Sequence, residues 1–360
     1  MPTATHNTGP NLTNVNYFGR LFVKYGLVFL VFLMVGRILL NAFVNYWQAT
    51  HPAPPPPPTV GFGILPSLSF PIQEEAESAL TYELEMPYGL QEHADRDKVF
   101  LVTRSNANLL ADEKVKKMAA VYGFAATPEN ITEEIYRFTK NTPLEMGLEI
   151  NSTDFTFSLQ SNFLARPDLL TSGAQLPEEF EAIERVKKFL SSADLLGTDI
   201  ATASGTVTFL KSVGGELKPA YALAEANFLQ IDLNRNAIDQ LYTVYTDQGK
   251  KGIISAKMTA AFSGNNSIVE MDYAYRQVDY FNFETYPLRT LKSAWNLLQA
   301  GDAYVFNPEK VKNVTIRATE LAYYDSTYEQ KYLQPIYVFK GDNNFMAFVP
   351  AVSANYLSRN

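Results

Sequence analysis

The sequence contains no cysteine in its 360 residues, and that absence removes disulfides, thiolate metal sites, cysteine nucleophiles and a lipid-modified cysteine anchor. Histidine is nearly as scarce. Of the three, His6 and His51 lie outside the segments that read as folded, so any mechanism needing two histidines in one site is excluded. Acids are missing from one end: residues 1–71 hold Arg20, Lys24 and Arg37, and the first acid is Glu74. The rest of the chain therefore sets all 38 acids against the 27 bases left when those three are taken from 30, a net of −11. So acidic a remainder repels phosphate backbones, which argues against nucleic acid as a partner.

Beside the acid-free end stands an oily run, YGLVFLVFLMVGRILLNAFVNYW, residues 25–47. As a helix rising about 1.5 Å per residue, it crosses the roughly 30 Å hydrocarbon layer. Arg37 near its middle costs about 2.5–3.5 kcal/mol, whereas thirteen Leu, Ile, Phe and Val residues between Leu27 and Val44 together gain roughly 4–8 kcal/mol. Insertion is favoured. Arg20 and Lys24 before the run read as a cytoplasmic anchor, and Tyr46 and Trp47 close it with rings suited to the headgroup level. A cleaved signal peptide is the competing reading, but no small-x-small site comes after the apolar stretch. A buried amphipathic helix is the other, and the run is apolar on nearly all faces.

Immediately afterwards comes HPAPPPPPTVGFG, residues 51–63. Consecutive prolines extend about 3.1 Å per residue and resist collapse, so the stretch reads as a spacer holding the downstream chain clear of the membrane. The organisation expected is a cytoplasmic tail (1–24), a transmembrane helix (25–47), a Pro-rich spacer (48–71), a first α+β region (72–204) and a β-rich region (205–360).

Within the folded part, helical periodicity marks 112–124 with a stop at Gly123, and 288–301 with a stop at Gly301. It also marks 176–196, where Phe180, Ile183, Val186 and Leu190 form one stripe. Alternation marks strands at 154–159, 205–211 and 220–233, and 267–279, 313–325, 334–341 and 345–352 add further strands. Residues 241–262 read as a hairpin turning at Asp-Gln-Gly-Lys-Lys-Gly, and 132–140 fits helix or strand. The fold class is α+β: one N-terminal transmembrane helix, then antiparallel sheets with a few helices packed on one face.

Three stretches, YPLRTLKSAWNLLQAGDAYVF (286–306), VTIRATELAYYD (314–325) and KYLQPIYVFKGDNNFMAFVPAV (331–352), together resemble the C-terminal module of YycH/YycI-type and PepSY-like extracytoplasmic domains. KVKKMAAVYGFAATPENI (114–131) is similar to the helix that opens such domains. The resemblance implies a membrane-anchored regulator or interaction module. In the best-known members, that means contact with a sensor kinase through the membrane helix.

Catalytic constellations are thin. DLNRNAID (232–239) sets Asp232, Asn234 and Asn236 like the start of a calcium loop, but Ala237 and Thr243 stand where such a loop needs Gly and Glu. Glu74, Glu75 and Glu77 could supply paired carboxylates but read as a solvated run beside a linker. GFG (61–63) lacks a third glycine and a strand–helix setting. Asn-x-Ser/Thr sites at Asn130, Asn151, Asn265 and Asn313 matter only in a glycosylating secretory pathway. The sequence gives no catalytic residue, cofactor or metal ligand.

Tyr323, Tyr324, Tyr328, Tyr332 and Tyr337 are the candidate recognition surface, since tyrosine joins apolar area to a hydrogen-bonding tip; plain β-propensity is the simpler account of them. Arg37 is the candidate contact with a membrane partner. Two functions remain: a membrane-anchored extracytoplasmic regulatory or scaffold protein binding another protein, or a cell-envelope glycan hydrolase using carboxylates alone. The first expects a membrane protein as partner, through the helix or the outer domain.

Overall fold

A computed structural model describes residues 12–51, 56–72, 80–103, 110–124, 127–166, 175–249 and 251–358. The chain divides into two units, Met1–Pro57 and Pro58–Asn360. The first holds α1 (Leu12–Thr50), 39 residues and about 58 Å long. It begins well before residue 25 because neither Gly19 nor Gly26 is enough to stop a helix. It ends at Thr50, two residues before Pro52, where the backbone hydrogen-bond donor is lost. Its stretch Asn16–Gln48 is long and apolar enough to cross a membrane and buries none of its surface.

The second unit builds two sheets. β1 (Thr81–Leu84) and β2 (Arg96–Val102) open the first sheet. The chain then leaves for the second sheet with α2 (Ala111–Val121), β3 (Glu129–Asn130), β4 (Ile135–Lys140), β5 (Met146–Asn151) and β6 (Phe157–Ser161). α3 (Glu179–Ser192), α4 (Thr198–Ala201), β7 (Gly205–Val213), β8 (Glu216–Pro219) and β9 (Phe228–Leu233) come next there. β10 (Val244–Tyr245) crosses back to the first sheet, and β11 (Ile254–Thr259) and β12 (Ile268–Tyr273) complete the second. β13 (Val278–Pro287), α5 (Leu291–Ala300), β14 (Tyr304–Phe306), β15 (Asn313–Tyr324), β16 (Tyr332–Gly341) and β17 (Met346–Pro350) finish the first.

The second sheet is antiparallel throughout, in the order β3-β4-β5-β6-β12-β11-β9-β7-β8. α2 and α3 cover one face of it, with Tyr122 and Phe189 stacked 4.0 Å apart between them. In the first sheet β15 and β16 are central. β1 and β10 run parallel to β15, and β17 and β2 pair with successive halves of β16.

The burial of β16 explains a feature the sequence hid. All eight residues Tyr332–Phe339 are buried, so both faces of the strand need cover. Tyr337 and Phe339 point to the side of α5, and Ile336 and Val338 to the other side. That second face is covered by a strap, residues 59–70. Leu65 is fully buried among Val99, Tyr286, Tyr332 and Val352. Leu68 and Phe70 pack with Tyr324, Ile336 and Val338. Leu65 bridges Leu357, Ser67 donates its backbone N–H to Ser358 Oγ and its hydroxyl to the Ser358 carbonyl, and Gln334 Nε2 donates to the Pro66 carbonyl at 2.9 Å.

The fold class is as expected, and its internal boundaries are not. Folded structure begins at Pro58, not near residue 72, because the strap belongs to the core. The division expected at 204/205 cuts through the second sheet, where β6 from before it pairs with β12 from after it. The expected hairpin at 241–262 is no hairpin: β10 joins β15 and β11 lies between β9 and β12, in different sheets. The α3 stripe is rotated, burying Ala182, Val186, Phe189 and Leu190 and leaving Phe180 exposed. Residues 223–225 form a 3-10 turn, which shortens the strand expected at 220–233. The open stretch 132–140 contains a strand, β4.

Candidate interaction site

The five tyrosines do not form one surface. Tyr323, Tyr324 and Tyr337 are fully buried and Tyr332 nearly so, whereas Tyr328 stands 55% exposed. The β-propensity account fits these four buried ones, which are core side chains, and three of them have their hydroxyls satisfied inside. Tyr323 donates to Asp97 Oδ1 at 3.0 Å and Tyr337 to the Arg289 carbonyl at 2.8 Å. Tyr324 donates to the Ser69 carbonyl at 3.2 Å. Tyr332 stacks on Phe62 of the strap. Arg37 is exposed on α1. Glu74, Glu75 and Glu77 lie outside the described residues, as does the first part of the proline run.

Tyr328 sits on the β15–β16 connection, residues 325–331, which is held from the second sheet by two arginines. Arg235, just past β9, has a fully buried side chain. Its Nε donates to Asp325 Oδ2 and its Nη1 to Asp199 Oδ2, each at 2.7 Å, while Nη2 donates to the Arg276 carbonyl. Arg276 Nη1 in turn donates to the Tyr328 carbonyl at 3.1 Å, and its guanidinium pairs with Asp154. Tyr275 and Tyr280 donate to Asp199 Oδ1 and Oδ2 at 2.7 and 2.8 Å. The cluster draws Asp199, Arg235 and Tyr275 from the second-sheet half and Tyr280 and Asp325 from the first. It is the polar joint between them.

Burial alone would push the Asp199 carboxyl up, but Arg235 and the two tyrosine hydroxyls outweigh it and hold the group below the usual carboxylate range. Asp325 goes the other way: its burial exceeds the pull of Arg235, and its carboxyl is raised. Both Asp199 oxygens are taken by strong donors, so this carboxylate serves as a counter-ion, not as a proton-transfer group. The bulge in β13 makes the joint possible. The ladder with β2 skips from Asp279 to Phe283, which turns Tyr280 inward and leaves Phe281 98% exposed.

On the other side of the 325–331 connection, strap residues 66–69 and residues 329–332 and 334 enclose a cavity of about 300 Å³. Its rim offers Glu329 and Lys331, with the Lys331 ammonium 5.1 Å from the Tyr332 ring. Gln334 Oε1 is buried there with no hydrogen-bond partner among the described residues. The arrangement suits docking of a polar chain segment better than chemistry, since its functional groups are an ion pair's worth of charge and amides.

Two further carboxylate patterns resolve as structural. In 232–239 the first two oxygens meet protein donors: Asp232 Oδ1 accepts from Gly252 N, and Asn234 Oδ1 from Ile253 N. Asp97, which sequence reasoning missed, is buried with Oδ2 unpartnered and its carboxyl raised by that burial. Tyr323 closes over it. Among the described residues, no three His, Asp or Glu side chains gather as metal ligands would.

No family model matches the chain, and no curated protein does. Several solved structures are similar in part, among them these two. An uncharacterized protein from Eubacterium rectale ATCC 33656 is 12% identical over 76% of this chain and 88% of its own, with a TM-score of 0.40. A Bacillus megaterium YpeB C-terminal domain is 12% identical over 70% of this chain and 95% of its own, with a TM-score of 0.33. At these values neither likeness carries a role across.

Proposed function

We propose that the chain is a single-pass membrane protein whose folded unit lies outside the cytoplasm and works by binding a protein partner, without catalysis. The observation that carries this reading is the length and apolar composition of the helix Asn16–Gln48, none of whose residues is buried. Burying that helix in lipid is its natural resolution. Arg20 and Lys24 flank its N-terminal side, and no charge comes after Arg37 until Glu74, which sets the N-terminus inside. The resemblance of residues 286–352 to YycH/YycI-type domains agrees with a regulatory or scaffold role. The partner would be another membrane protein, met through the helix or through the outer unit near Tyr328.

The test has two arms. The chain should resist alkaline carbonate extraction, and protease added outside intact spheroplasts should digest the unit from Pro58 onward. Release by carbonate, or full protection from protease, refutes the topology. A photo-crosslinking amino acid at Tyr328 should capture a protein in native membranes that the same probe at Tyr221, 96% exposed elsewhere on the unit, does not. Identical captures at both positions would remove Tyr328 from the interface.

A further inference from the structure

Arg37 is one of four polar residues that α1 sets on a single side. Each helical residue advances about 100° round the axis, so Gln48, Asn41 and Asn45 stand about 20°, 40° and 80° from Arg37. Between Arg37 and Gln48 no apolar residue falls inside that arc. Ile38, Leu39, Leu40, Ala42, Phe43 and Val44 lie outside it. All four polar side chains are exposed.

The charges around the stripe set its depth. Between Lys24 and Arg37 only twelve residues are free of charge, about 18 Å of helix and too short to span a bilayer. From Tyr25 to Trp47 the helix runs about 35 Å, so the span must include Arg37. With Trp47 at the headgroup level, Arg37 lies about 15 Å deep, Asn41 about 9 Å, and Asn45 and Gln48 near the interface.

A guanidinium at mid-depth, next to an amide one turn away, is unfavourable facing lipid and favourable facing a carboxylate that accepts its forked N–H groups. A second copy of this chain cannot supply that group. It has no acid in residues 1–71, and a parallel pair would bring two Arg37 side chains together. We infer that the Arg37–Asn41–Asn45–Gln48 face binds a different membrane helix that carries an Asp or Glu at mid-depth and amide or hydroxyl groups toward its outer end. This rests on the membrane reading above and names the chemistry of the partner.

The full chain, donor-labelled and reconstituted in phosphatidylcholine vesicles, can be titrated with acceptor-labelled Leu-rich model helices of about 21 residues. Their central residue is Asp, Asn or Leu. Energy transfer should show the Asp helix associating about tenfold more tightly than the Leu helix. Arg37→Leu should erase the difference, Asn41→Leu should weaken association about threefold, and Leu39→Ala on the opposite face should change nothing. Equal association of the Asp and Leu helices, a preference that survives Arg37→Leu, or self-association that outcompetes the Asp helix each overturns the inference. Carbonate extraction of the same vesicles separates the causes. A chain that washes out defeats the membrane reading and this inference with it, whereas an inserted chain without carboxylate preference defeats this inference alone.

Discussion

A chain beginning at Ile72, where composition suggests the folded part starts, should be far less stable than one beginning at Pro58. The structure gives the size of the loss. Leu65 is fully buried and Leu68 nearly so, and cutting a buried leucine to alanine costs about 2–5 kcal/mol. Losing both is therefore about 4–10 kcal/mol, against a typical total stability of about 5–15 kcal/mol. The count omits Val60, Phe62 and Phe70, which pack against Tyr286, Tyr332 and Tyr304, and the strap carbonyls that satisfy Gln334, Tyr324 and Ser326. Urea unfolding tracked by tyrosine and tryptophan fluorescence should show a cooperative transition for residues 58–360. The single change Leu65→Ala should lower its stability by about 2–5 kcal/mol, and residues 72–360 should have no folded baseline. Ile72→Ala, at a fully exposed position, is the control and should stay within about 0.5 kcal/mol. A 72–360 chain that unfolds at the same midpoint and with the same slope as 58–360 would show that the strap merely rests on the sheet.

Arg235→Met should destabilise the unit from Pro58 onward by about 3–5 kcal/mol, because Asp199 and Asp325 are left buried without a counter-ion; an unchanged urea midpoint would mean the joint is not closed in solution. Asp199 ionises more readily folded than unfolded, so its stabilisation is present above the ordinary carboxylate pKa of about 3.9 and lost as the pH falls through its lower folded value. Stability should therefore drop on acidification below about pH 4, and Asp199→Asn should flatten that drop; a parallel curve for the variant refutes the assignment. Tyr323→Phe should cost about 1–3 kcal/mol by removing the hydroxyl that Asp97 accepts from, whereas Tyr328→Ala should leave the midpoint within about 0.5 kcal/mol. Equal effects at the two tyrosines would contradict the burial that separates them.

Where local chemistry decides, the sequence could be read directly. Gly301 ends α5 in the left-handed conformation with φ 86°, and Asn343 and Asn344 take φ 57° in the turn before β17. The strand-like run 313–325 marked β15 in the same way. Where the outcome depends on what lies opposite, local signals failed. The strap residues Val60, Phe62, Leu65, Leu68 and Phe70 keep to no period, and glycines and prolines between them imitate a linker. Tyrosine favours strands whether its face is inside or outside, so 323, 324, 332 and 337 could not be told from 328. The one available sign was the run YLQPIYVF, apolar on both faces, which implies cover on both. Asp199, Arg235 and Asp325 share no spacing at all; their joint exists only because two sheets meet there. β10 and β11 read as one hairpin because the glycine-rich turn between them is real, yet they diverge into separate sheets.

The first sheet takes β2 from early in the chain and β13, β15 and β16 from late in it, with most of the second sheet built from the residues between. That order has a consequence for biogenesis. At about 5–20 residues per second, roughly 10–50 s separate the synthesis of β2 from that of its partner Tyr332–Leu333 in β16. Leu65 waits longer still for Leu357. During that interval the second sheet, all of whose strands precede β13, can close, while β2 waits for β13 and the strap stays unpaired. The nascent chain thus passes through an aggregation-exposed period, with its first sheet completed last.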